Sequence, residues 1–252
     1  MTEQQHDILN RYEESLRTTL VKRLTDAKWL EGQLLEVEEL NEKWRSSAPS
    51  YMADAVPEIA KYPLVAIAWA MYLGMGAATL WDKEWNRYKD VEDFHKLMTE
   101  PRGFDCMDEY ITEVLLALPL GSAEAEKIED MARSTAERAQ MLIRKEAVEA
   151  QSVMAFHVFA RTPKGMFEAG VAVSLRRLGY NYVKVNANVV SYRPPREERE
   201  REKRKRKTAI AGGLFLDYGT VGRWDYATSR PTGKNSHCLI VSLSHCLIVV
   251  FL

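Results

Sequence analysis

Glu92 and His95 stand in an E-x-x-H spacing, and residues three apart on a helix can reach one metal ion together. Carboxylate-bridged di-iron bundles use two such motifs and two further glutamates, a set that this one motif does not supply. His95 also shares a stripe with Val91, Phe94 and Met98, so the competing expectation is a histidine at the edge of the core, satisfied by one hydrogen bond. His157 is the second metal candidate. With His95 and an acid such as Asp82 or Glu84 it would complete a mononuclear site for a divalent metal. It too lies on an apolar stripe, three residues after Met154 and just before Val158 and Phe159, where a buried neutral imidazole is the ordinary outcome. Glu92, His95 and His157 are therefore the metal candidates, and no other cofactor is predicted.

The remaining chemistry-bearing residues argue less for a site. Glu109 and Glu113 are four apart, but the helical period places them on the side opposite Met107 and Ile111, where a solvated face is expected. Cys106 has none of the sequence surroundings of a catalytic thiol. No phosphate loop, dinucleotide fingerprint, nucleophile elbow or H-E-x-x-H pattern occurs. Gly74–Ala78, "GMGAA", falls inside a helical pattern, which makes it a packing feature. Nucleic acid is disfavoured as a partner; only Lys203 to Lys207, KRKRK, could meet RNA, DNA or an acidic membrane, and the interleaved acids around it suit a solvated linker better.

The elements that would have to position these residues are helical. From Asp7 to Trp44 the apolar residues recur at three- and four-residue steps, which predicts a long amphipathic helix, with Gly32 as a break or bend. Pro49, Pro57 and Pro63 punctuate a connector in which residues 54–61 form one short helix. Pro63 suits the first turn of the next helix, expected to run on to Tyr88. Asp90 is the expected cap of a helix ended by Pro101 and Gly103, and residues 105–118 form another, with Met107, Ile111, Val114, Leu115 and Leu118 inward. Ser122 caps a long helix reaching Met154. Thr162 and Pro163 open the last one, with Gly179 as its stop.

One run needs separate argument. Tyr62 to Trp81 contains no charged side chain and meets the roughly 20-residue length of a membrane span. Yet it holds only seven large aliphatic residues against seven Ala or Gly, and its flanks carry no basic excess to orient it. Ala66, Ala70, Gly74 and Ala78 form a small-residue ridge at four-residue spacing, suited to close helix packing. A helix apolar all round among amphipathic ones belongs at the centre of a bundle. Membrane attachment, through this run or through the tail from Cys238 to Leu252, is the alternative.

The fold class expected is all-α: roughly five to seven helices around a buried central helix, with a short β segment and an irregular C-terminal tail. Residues 1–195 form the helical domain, 196–207 a charged linker and 208–252 the tail. The first 195 residues carry 24 basic and 30 acidic side chains, and the twelve linker residues are all charged; a segment with nothing to bury does not fold alone. After Gly179, YNYVKVNANVVSY suits a strand or two. The tail repeats SHCLIV at 236–241 and 244–249. The two copies could pair as a hairpin; the expectation is that the tail is foreign to the domain, a frame or duplication artefact. Mass spectrometry of protein from its native source would refute that by finding the peptide. Three cysteines without a C-x-x-C pair, and an N-terminus without a basic and apolar leader pattern, point to a cytoplasmic location. With no assembled catalytic constellation, the expected function is a non-enzymatic bundle acting through protein contacts, as a homodimer through the long N-terminal helix. A metal- or small-ligand-binding bundle is the first alternative.

Overall fold

In the computed structural model, which describes residues 1–184 except 60, 147 and 150, together with 239–241 and 247–251, the N-terminal periodicity becomes two helices. The first, α1 (Glu3–Asp26), is capped by a reciprocal pair, Thr2 with Gln5, and buries Leu9, Tyr12, Leu16, Leu20 and Leu24 along one stripe. It does not continue to Trp44. Lys28 and Gly32 take positive φ angles of 63° and 91°, and the segment between the helices inserts Leu30, Leu34 and Leu35 into the core.

Helix α2 (Glu38–Glu58) then runs straight through Pro49 and Pro57, where a connector was expected. Each proline deprives the carbonyl four residues earlier of its donor. Those carbonyls belong to Arg45 and Ala53, and all four residues are on the exposed side of the helix. An orphan carbonyl there can reach water, while Leu40, Trp44, Tyr51 and Ala55 on the opposite stripe are buried. The prolines thus cost little, and burial carries the helix past them.

Helix α3 (Pro63–Tyr88) is the axis of the fold. Among the described residues it is the one helix long and apolar enough to cross a membrane, but most of its apolar run is buried inside the bundle. From Ala66 to Leu80 every residue except the half-buried Trp69 is enclosed. Helices α2, α6 and α7 supply the enclosure. The helix kinks at Glu84, whose φ of −158° and ψ of 75° leave helical space, and resumes as far as Tyr88.

The small-residue ridge has a specific partner. A Cβ placed on Gly74 would fall 2.1 Å from the carbonyl oxygen of Phe167, and one on Gly170 would fall 2.0 Å from that of Met71. The backbones of α3 and α7 therefore touch at two reciprocal glycines, closer than any side chain allows.

Between these helices lies a shorter, less regular stretch. Asp93, not Asp90, caps α4 (Phe94–Thr99), accepting from the Lys96 N–H. A 3₁₀ turn (Phe104–Cys106), α5 (Met107–Tyr110) and a π turn (Ile111–Leu115) follow. The π turn corrects one expected core residue. With Leu116 N–H bonded to the carbonyl of Ile111 at 2.8 Å, the chain advances five residues per hydrogen bond instead of four. Val114 is rotated outward, 44% exposed, and Thr112 takes its buried place.

Ser122 caps α6 (Ala123–Lys145) as expected, but the helix stops there and does not reach Met154. Ser152 caps a new one, α7 (Val153–Arg177), accepting from the Ala155 N–H, and Pro163 sits inside it. Thr162 is not a cap: it is buried, and its hydroxyl donates back to the carbonyl of Val158. An interior proline costs about 3 kcal/mol. Burying Val158 and Phe159 before it, with Met166 and Phe167 after it, returns about 1.5–3 kcal/mol for each. The helix therefore continues.

Gly179, at φ 91°, turns the chain into β1 (Tyr180–Lys184). It pairs antiparallel with β3 (Leu247–Phe251), which pairs in turn with β2 (Leu239–Val241). Ile240 and Val241 of the first SHCLIV copy lie opposite Val249 and Ile248 of the second. The linker 196–207 and the rest of the tail lie outside the described residues.

Candidate functional site

The residues nominated by sequence are not brought together. His95 is 1% exposed and its Nε2 lies 2.8 Å from Oδ2 of Asp54, on α2. Its ring packs edge-on against Tyr51 and Phe104, while the Tyr51 hydroxyl donates to the carbonyl of Ala66. Burial pushes that phenol far above its ordinary range. The His95 Nδ1 is buried without a hydrogen-bond partner. Glu92 is exposed before α4, and His157 is half-buried on the first turns of α7 beside Phe156. Among the described residues no three His, Cys, Asp or Glu side chains converge on a point that could hold a metal.

The acids and the thiol also separate. Glu109 is exposed, and Glu113, also exposed, is paired with Arg102 at 2.6 Å. Cys106 is a half-buried free thiol. Asp82 accepts from the Tyr180 hydroxyl at 2.8 Å, and Glu84 pairs with Arg87.

A different place combines depth with charge. Between α1, residues 34–41 and α7 lies a cleft of about 420 Å³, within the range of small-molecule sites, roughly 300–1,000 Å³. Its floor is Leu16, Leu34, Leu35 and Leu40, all buried. Glu13 and Arg17 enter from α1, Glu36 from the connecting segment, and Arg161, Lys164 and Glu168 from α7. The last three are i, i+3 and i+7, one face of a helix.

Gly165 is what lets the two helices close here. A Cβ at that position would stand 3.0 Å from Cδ2 of Leu16 and 3.3 Å from Cδ1 of Leu20, so the α1 leucines rest almost on the backbone of α7. Glu13, one turn before Leu16, is thereby held over Lys164. Lys164 Nζ donates to Glu13 Oε1 at 2.7 Å, and Arg161 Nε lies 3.4 Å from Glu13 Oε2. Lys164 also stands 3.7 Å from Glu168, and Arg17 pairs with Glu36. Burial raises the Glu168 carboxyl above its ordinary value, with Lys164 opposing and Glu13 adding to the rise.

Such a cleft offers both signs of charge above an apolar floor. It can hold and orient a molecule. Sequence reasoning missed it for a local reason: with the last helix begun at Thr162, Arg161 fell outside it and the Arg161, Lys164, Glu168 line was not visible. The available signal was Gly165, because a glycine inside a helical pattern marks a close approach. No protein-family model, curated protein or solved structure was found to match this chain.

Proposed function

We propose that the protein is a non-enzymatic helical bundle that binds a small organic ligand in the cleft between α1 and α7. The observation that carries this is the joining of an apolar floor to a rim that holds both signs of charge, in which Glu13 is shared by Arg161 and Lys164. Pockets that bind small molecules are mostly apolar with a few placed polar groups, and the cleft has that composition. Native mass spectrometry of the full chain, purified without denaturation, should reveal a bound small molecule. Asn41, which lines the cleft and is half-buried, can be replaced by the bulky Asn41→Trp, which should remove it. A bare mass in both proteins, with no thermal shift across a chemically diverse set of small molecules, would overturn the reading.

A second reading, action through protein contacts, has a separate support. The apolar stripe of α1 is occupied inside the chain, packed on α6 and α7, so it is not what a partner would meet. Val153 and Phe156, three apart at the start of α7, are 73% and 49% exposed. Light scattering of wild type and Phe156→Glu tests self-association: a dimer lost in the variant supports it, and a monomer in both rejects it.

A further inference from the structure

Arg161 and Glu168 lie about 10 Å apart along the axis of α7, by the 1.5 Å rise per residue, at the two ends of the charged line that faces the cleft. Both are under-compensated. Arg161 Nε is buried and, although 3.4 Å from Glu13 Oε2, makes no hydrogen bond. Glu168 meets the Lys164 ammonium at 3.7 Å, while Lys164 gives its 2.7 Å bond to Glu13. A guanidinium with a donor to spare recognises a carboxylate, and a carboxylate short of a donor recognises an ammonium.

The rim as a whole sets the charge of the occupant. Glu13, Glu14, Glu36 and Glu168 stand with Arg17, Arg161 and Lys164, so an anion or a cation alone would face like charges as well as opposite ones. A molecule with one charge of each sign meets complementary groups at both ends.

Length then narrows the class. The ammonium and carboxylate of a single amino acid sit on one carbon, too close together to serve groups on opposite ends of a two-turn line. Each further residue adds roughly 3.3–3.6 Å of reach, so two or three residues span it. The leucine floor calls for apolar side chains. We infer that the cleft takes a short zwitterionic peptide of two or three apolar residues, its ammonium on Glu168 and its carboxylate on Arg161, running antiparallel to α7. This rests on the reading of the cleft as a ligand site.

Titration calorimetry on the full chain at neutral pH tests it, with leucine, dileucine, trileucine, N-acetyl-dileucine and dileucine amide as probes. Dileucine or trileucine should bind at least tenfold more tightly than leucine, and blocking either terminus should weaken binding at least tenfold. In Glu168→Gln the penalty for acetylation should vanish; in Arg161→Gln the penalty for amidation should vanish. Equal binding of leucine, indifference to terminal blocking, or no binding by any probe would overturn the inference. The wild-type series alone decides the matter if a variant fails to fold. If the peptides fail but Asn41→Trp still strips some other co-purifying molecule, the cleft reading survives without this inference. If nothing is stripped either, both fall.

Discussion

Replacing Gly74 or Gly170 by alanine tests the central contact of the fold, because each substitution adds one methyl group against a backbone that cannot step aside. The new Cβ would be 2.1 Å from the Phe167 oxygen in the first case and 2.0 Å from the Met71 oxygen in the second. A carbon and a carbonyl oxygen rest at about 3.3–3.6 Å, so α3 and α7 must part by roughly 1 Å along much of their contact. Overpacking of this kind costs about 1–3 kcal/mol and sometimes more. Alanine returns about 0.8–1 kcal/mol of helix propensity, and the clash wins because the obstacle is main chain. We expect each variant to lose about 2 kcal/mol or more, a fall of roughly 4–8 °C in melting temperature for a chain of this size. Gly165→Ala is the internal control. Its Cβ meets only the tips of Leu16 and Leu20, at 3.0 and 3.3 Å, which can rotate, so it should fall within about 1 kcal/mol of wild type. The double variant Gly74→Ala/Gly170→Ala should lose less than the sum of the two, since one retreat of α7 relieves both clashes. Urea unfolding followed by circular dichroism measures all four. Gly74→Ala and Gly170→Ala as stable as Gly165→Ala would refute the backbone contact.

Other outcomes follow from single groups. The Tyr12 and Thr162 hydroxyls lie 2.6 Å apart, and either can donate to the other; burial, opposed by that bond, raises the phenol from 10.0 to about 12. The folded state then holds its proton longer than the unfolded one, so stability is intact below pH 10 and falls by about 3 kcal/mol as pH rises to 12; Tyr12→Phe should flatten that alkaline limb. For Glu168, also raised by burial, the same sign places a loss of stability just above the ordinary carboxylate range, and Glu168→Gln should remove that slope in pH-dependent melting. Asp54→Ala leaves buried His95 without its 2.8 Å partner and should cost about 1–3 kcal/mol in denaturant unfolding. Val114→Ser should cost under about 0.5 kcal/mol and Ile111→Ala about 2–5 kcal/mol; a large cost at Val114 would contradict the π-turn register.

The parts of the fold legible in the sequence are those where one strong local signal acts unopposed. Pro63 at a first turn, Ser122 as a cap and Gly179 as a stop each stand where the residue type requires. The misreadings share one cause, which is that proline and period rules are local while burial is not. Pro49, Pro57 and Pro163 read as punctuation, yet each lies inside a helix, and the buried stripe continues on both sides of Pro49 and Pro163. The opposite error came at 27–37 and 146–152, where the apolar period runs on but the backbone turns away at Lys28, Gly32 and Gln151, all at positive φ. The π turn displaced Val114 by a hydrogen-bond shift that no side-chain pattern announces.

That same misplacement of Pro163 hid the cleft. With α7 counted only from Thr162, Arg161 was a loop residue. Gly165 and Gly170 are two glycines on one long element, doing different work. Gly170 brings α7 onto the axis of the bundle at Met71, and Gly165 brings α1 onto α7 at Leu16. The first closes the core around the uncharged run. The second sets Glu13 over Lys164 and leaves the cleft beside it. The candidate site is thus a by-product of the packing that buries α3: the glycines that exclude a side chain from the interior fix the spacing at which charged side chains meet along its edge.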